Sequence, residues 1–218
     1  MDGLTLETLR SGLIYFIILV ASLCVHEWAH AITAEKLGDP TPGMDGRVTL
    51  NPIVHMDILG TVIFPLACIF FLQGGFLFGW ARPVMTNPSY FKHRARDSML
   101  VAAAGPFANF AIALLASIAG RFLFHLNPRT VEIFGPIVVL NVILAVFNLL
   151  PIPPLDGSHL MRYATGMRDE TFLILARWGG LILLAVILIP QLRMVLSLAI
   201  GIALVPFGIV YPEMRFGF

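Results

Sequence analysis

The sequence predicts an all-α polytopic membrane protein with about five to six membrane segments and a short β or re-entrant region after the first helix. Three observations point there. Of 218 residues, 58% are hydrophobic and 12% charged, against about 45–50% and about 25% in soluble domains. The mean hydropathy is +0.86. Apolar stretches at 13–34, 58–79, 99–124, 131–150, 171–190 and 194–211 each approach or exceed the ~20 residues a helix needs to cross hydrocarbon. Residues 1–218 read as one integral-membrane domain, because the longest polar stretches, 35–57 and 80–98, leave no room for a soluble one.

The elements follow in order. Before the first apolar run stand Asp2, Glu7 and only Arg10 as a cation, with no small-residue cleavage site after it, so this segment is expected to remain as a membrane helix. In 35–57, Gly38, Pro40, Pro42 and Gly43 stop the helix. Residues 47–50 (Arg, Val, Thr, Leu) then alternate polar with apolar, which predicts a short strand with a free edge. Pro65 and the run Gln73, Gly74, Gly75 interrupt 58–79, so this stretch is expected to dip in and return. The loop 80–98, with Gly79 at its start, is a candidate lid. The core of the domain is expected at about 12–165 and an accessory helical hairpin at about 171–211.

A formal net charge of +1 and the lack of a basic run exclude nucleic acid as a partner. Cys24 and Cys68 lie in apolar stretches, where cysteine acts as a small hydrophobe.

The chemistry resides in His26, Glu27, Trp28, Ala29 and His30. This is H-E-x-x-H, and on a helix the i, i+4 spacing puts both imidazoles on one face with the carboxylate beside them, the arrangement of a zinc site with Glu27 as general base. Packed histidines and an ion pair are the bland alternative, disfavoured by the ~2–3 kcal/mol that each uncompensated polar group costs at membrane depth. A catalytic zinc takes three protein ligands and keeps one place open. Asp156, set just past an apolar helix and followed by Gly157, is either the third ligand or a helix-capping aspartate; Pro151, Pro153 and Pro154 fix the approach. His55, Asp57 and His159 are candidate supporting partners or extra ligands, and His93 and His125 are expected in solvent.

With Gly105, Pro106, Phe107, Ala108 and Asn109 in a middle helix, and Asn148 eight residues before Asp156, the chain resembles the site-2 protease family over about residues 20–160. The segments 38–40, 46–52 and 81–84 resemble its small branch, which lacks PDZ and CBS domains. That resemblance implies one catalytic Zn2+ held by His26, His30 and Asp156, Glu27 as base, and Asn148 holding substrate backbone or the developing oxyanion. It implies cleavage of membrane-embedded protein substrates in the lipid bilayer of a prokaryotic cell membrane. Asn109 reads as an interhelical hydrogen bond and Gly105–Pro106 as a close-packing kink.

One metal requires both ligand-bearing helices to run the same way, hence an odd number of crossings between them, which again makes 58–79 re-entrant. Lys and Arg then favour one face ten to four, predicting an external N-terminus, a cytoplasmic C-terminus and a metal nearer the cytoplasm. Two rival readings remain. One is a different membrane zinc protease, of the kind that trims prenylated proteins, using Glu132 or Glu170. The other is a non-catalytic scaffold or transporter that retains a structural metal. Sequence leaves the oligomeric state open.

Overall fold

The computed structural model describes residues 5–71 and 79–214. Among them the chain is helical, without a sheet. Helix α1 (Leu6–Lys36) begins where the Thr5 hydroxyl accepts the Thr8 N–H at 3.1 Å, and it stops before Gly38, whose φ of 104° L side chains rarely adopt. Its 31 residues make a rod about 46 Å long, more than the ~30 Å hydrocarbon core.

Two short helices, α2 (Thr41–Met44) and α3 (Pro52–His55), follow. Residues 47–50, expected as an edge strand, bend instead. The Thr49 N–H turns back to the Arg47 carbonyl at 2.9 Å, and the Thr49 carbonyl accepts from His55 Nε2 at 2.8 Å. The bonds a ladder needs are spent inside the loop. Extended pairing occurs nearby, where Met56 bridges Ala81 antiparallel and the Arg82 N–H reaches the His55 carbonyl at 2.9 Å.

The next apolar stretch re-enters. A π-helical turn, Ile58–Ile63, leads into α4 (Phe64–Phe71); the expected break at Gln73, Gly74 and Gly75 lies outside the described residues. The Trp80 N–H donates to the Gly60 carbonyl at 3.1 Å, and the Thr61 hydroxyl donates to the Trp80 carbonyl at 2.7 Å. The Trp80 ring lies so close over Gly60 that a Cβ there would come within 2.2 Å of it. The chain thus leaves this segment where it entered.

Helices α5 (Arg94–Phe124), α6 (Val131–Asn148), α7 (Asp156–Thr165), α8 (Asp169–Leu188) and α9 (Pro190–Val210) complete the described fold. Five helices (α1, α5, α6, α8 and α9) are long and apolar enough to cross a membrane. Helix α5 runs antiparallel to α1, with Val101 facing His30 and Asn109 facing His26. Helix α6 runs parallel to α1: Ile14, Ile18 and Ile137 share one apolar cluster, Ser22 meets Asn141, and further along both, His26 of α1 meets Asp156, just past α6. A second apolar core joins Ala113 and Ala116 of α5, Val138 and Val142 of α6, and Leu204 and Phe207 of α9. The inner faces of α1 and α5 carry small residues such as Ala31, Ala34 and Ala113, all fully buried, which let helices approach closely where lipid offers no competing hydrophobic drive.

The last two helices depart from the expectation that the N- and C-terminal ends lie on opposite faces. Tyr211 packs against Gly120 and Phe134, and Glu213 pairs with Arg121. The end of the described chain therefore lies beside the α5–α6 turn, at the end of the bundle where α1 begins. Because α8 starts beside α7, through Arg162 and Asp169 at 2.6 Å, α8 and α9 together make one net traverse. Ile189 alone joins them, fewer than the ~2–5 residues of an antiparallel helix turn. Cysteines introduced at Asn127 and Pro212 are expected to react with an impermeant maleimide from one face, and a cysteine at Lys92 from the other. Labelling of Asn127→Cys and Pro212→Cys from opposite faces would contradict this arrangement.

Candidate metal centre

His26, Glu27 and His30 occupy the buried stripe of α1, in its C-terminal half. Asp156 reaches them from the far side of a break. After Asn148 the prolines at 151, 153 and 154 prevent helix continuation, and α7 restarts with Asp156 in its first turn, where the helix N-terminus favours a carboxylate. Gly157 is required next, since a Cβ would lie 2.2 Å from the Leu149 carbonyl oxygen.

The three side chains converge. Asp156 Oδ2 is 3.1 Å from His26 Nε2, Asp156 Oδ1 is 3.4 Å from His30 Nε2, and the two Nε2 atoms are 3.1 Å apart. Tetrahedral zinc with bonds of ~2.0–2.1 Å sets its ligand atoms about 3.3–3.4 Å apart, so the triangle has the right size. The protons also fit. His30 Nδ1 lies 2.7 Å from the Val101 carbonyl, an acceptor only, and His26 Nδ1 lies 2.6 Å from Asn109 Oδ1. Both rings spend their N–H there, and two bare Nε2 lone pairs face a carboxylate. Asp156 Oδ2 is buried with no hydrogen-bond donor. Such an array is repulsive unless a cation sits within it, which is what these residues are suited to hold.

A divalent cation between these atoms would hold Asp156 as its carboxylate. His159, one turn on, is pushed down by burial, against the opposing pull of Asp156. Its ring rests on Phe172 of α8, 5.2 Å between centroids.

Glu27 stands apart from the triangle, its Oε2 accepting the Val84 N–H at 3.0 Å. That amide belongs to an extended segment anchored along its length. Trp80 is bonded to Gly60 and Thr61, Arg82 to His55, the Pro83 carbonyl accepts from buried Arg47 at 3.4 Å, and the Asn87 N–H meets Asp39 Oδ2 at 2.6 Å. Of the candidate lid at 80–98, residues 80–87 form a pinned strap beside Glu27.

The other candidates divide. Asn148 donates its Nδ2 to the Leu144 carbonyl at 2.9 Å, one turn back on its own helix. His55 and Asp57 serve the re-entrant hairpin, through the Thr49 carbonyl and the Gly60 N–H respectively. His93 and His125 are exposed, as are Glu132 and Glu170, the latter two in the first turns of α6 and α8. Sequence reasoning gave Asn109 an interhelical bond but missed that its partner is His26. It missed Arg47, Asp39 and the Val84 amide as supports altogether; a buried arginine and aspartate in a glycine- and proline-rich loop are the available signal.

Gly105 lets α5 close over the site. An added Cβ would lie 2.4 Å from His30 Nε2 and 2.6 Å from His26 Nε2, whereas Gly135 has open space around it. Gly105→Ala is therefore expected to lose most bound zinc, measured as metal per mole of purified protein, with Gly135→Ala unchanged. Full zinc content in Gly105→Ala would disprove the close approach.

The chain is similar in sequence to known proteins. The family model described as Peptidase family M50 matches residues 124–187, a span that holds Asn148 and Asp156 but not the histidine pair. A Bacillus subtilis protein provisionally named zinc metalloprotease YwhC is 37% identical over 153 residues, covering 66% of each chain, just under two thirds of that relative. Mycolicibacterium smegmatis Rip2, named with the same reservation, is 32% identical over 187 residues, 82% of this chain and 69% of its own. Zinc metalloprotease MJ0392 of Methanocaldococcus jannaschii is 24% identical over 149 residues, 68% of this chain and 33% of its own. No solved structure gives a significant match. Five apolar helices among the described residues, a His, His, Asp triangle with both histidines buried, and these relatives lead to one conclusion: the chain is a multi-pass membrane protein belonging to peptidase family M50, the site-2 metalloproteases.

Proposed function

We propose that this protein is an intramembrane zinc endopeptidase that hydrolyses peptide bonds within or near the membrane-spanning segments of other proteins. The observation that carries the reading is the convergence of two bare imidazole nitrogens and a carboxylate inside an apolar bundle, with a second carboxylate alongside. His26, His30 and Asp156 would bind one ion. Lewis acidity toward water and the scissile carbonyl is the contribution of zinc when bound.

The remaining chemistry belongs to the chain. Glu27 takes the proton of the attacking water and returns it to the leaving amine. The Val84 N–H holds Oε2, which directs the other oxygen to that proton. Asn148 is the candidate for steadying substrate backbone or the developing oxyanion; to act there its amide must give up the Leu144 carbonyl. A membrane helix buries its carbonyls in its own hydrogen bonds, so the target must be unwound locally, most easily near Gly, Pro or Asn.

Orientation follows from charge. Lys36, Lys92, Arg94, Arg96, Arg162 and Arg168 lie toward the metal end of the bundle, against Arg10, Arg121 and Arg129 at the other. The excess of cations favours a cytoplasmic metal end, in the cell membrane of a prokaryote such as those that carry the relatives above. The scaffold or transporter reading keeps the metal but needs no base beside it, and Glu27 is poised there.

Mutations separate the possibilities. Glu27→Ala is expected to keep zinc at one per chain while cleavage of a reconstituted single-span protein falls at least 1,000-fold, a loss of roughly 4 kcal/mol in transition-state stabilisation. His26→Ala and Asp156→Ala should lose both zinc and cleavage. Cleavage that survives Glu27→Ala, or zinc that survives Asp156→Ala, would refute these roles.

A further inference from the structure

A peptide carbonyl that lies one turn from neither ligand decides which nitrogen of His26 carries its proton. Asn141 Nδ2 sits 2.9 Å from the Ile137 carbonyl, which can only accept; this fixes the amide and turns Asn141 Oδ1 toward α5. Asn109 Nδ2 donates to that oxygen at 2.8 Å, leaving Asn109 Oδ1 to face His26 Nδ1 at 2.6 Å, where only an N–H can meet it. The other proton of Asn141 Nδ2 goes to the Ser22 hydroxyl at 2.9 Å, one turn before His26 on α1. The circuit is closed, from α1 to α5 to α6 and back to α1. Ser22 is 3% exposed, and Asn109 and Asn141 are both at 0%.

We propose that Asn109, oriented by Asn141 and Ser22, is a positioning residue for metal binding, which holds His26 with its proton on Nδ1 and a bare Nε2 aimed at the ion. This rests on the zinc reading above and deepens it. The two histidines differ in an informative way. His30 is set by the main chain of α5, while His26 is set by side chains from α5 and α6, so its aim depends on how three helices pack. Metal affinity and helix packing are thereby linked.

The choice of carboxamides also has a physical reason. The two positive charges of zinc are matched by Asp156 and Glu27, so a neutral supporting group adds no unpaired charge at a depth where charge is costly. Asparagine still supplies the acceptor His26 needs and a donor to pass the orientation on.

The test is zinc affinity, measured by chelator competition on full-length protein in detergent, with thermal unfolding of the zinc-free form recorded beside it. Asn109→Ala should weaken zinc roughly 10–100-fold, the range for removing a group that supports a ligand. Asn109→Asp keeps an oxygen toward His26 but loses the donor to Asn141, and should recover only part of that loss. If the asparagines only glue helices together, both variants lower the unfolding temperature alike while zinc affinity stays at the wild-type value, which would overturn the proposal. Should Asn109→Ala fail to fold, Asn141→Ala reads the same relay one bond further out, with about a tenfold weakening expected and unchanged affinity decisive against it. Wild-type protein that binds no zinc would instead sink the zinc reading itself.

Discussion

Everything in this structure is arranged around one electrostatic problem: three lone-pair donors held about 3 Å apart inside an apolar bundle. Ionisable side chains at such depth cost ~2.5–3.5 kcal/mol each on insertion scales unless something compensates them. A divalent cation at their centre would do so, and the surroundings make sense as means to that end. Antiparallel α1 and α5 bring the ring N–H groups to acceptors, and the missing side chain at Gly105 lets the helices close. The proline break between α6 and α7 lets Asp156 approach from a third direction.

Broken backbone at membrane depth creates a second difficulty, since every freed N–H and carbonyl needs a partner. The re-entrant segment solves it by clasping itself at Gly60, Thr61 and Trp80 and by lending its neighbouring strap to the site. Buried Arg47 and Asp39 each satisfy main-chain groups that no helix could reach. Each such bond contributes only about 0.5–1.5 kcal/mol net, but an orphaned group would cost more. Together they hold the Val84 amide against Glu27, which joins the irregular part of the fold to the chemistry.

Some of this was legible in the residues and some was not. The spacing of His26, Glu27 and His30 encodes its own geometry, because a helix places i and i+4 on one face whatever surrounds it. The need for Asp156 to share their depth forced α1 and α6 to run in parallel, and with them the re-entry of 58–79. Alternation over 47–50 misled, because four alternating residues carry no information about whether a partner strand exists. The hairpin at the C-terminus misled likewise: two apolar stretches of spanning length do not say that each makes its own crossing, and the single residue between α8 and α9 became visible only with the helix ends.

The sequence by itself determined the solvent, the helical class and the juxtaposition of His26, Glu27 and His30, since hydropathy and short spacings are local properties that need no distant contact. Only the tertiary structure decided which polar groups orient those ligands. Asn109, Val101 and Val84 meet the site across separations of many residues, and Asn141 supports it through Asn109. Such meetings are set by how helices pack, and packing depends on shape complementarity that no single stretch of chain contains.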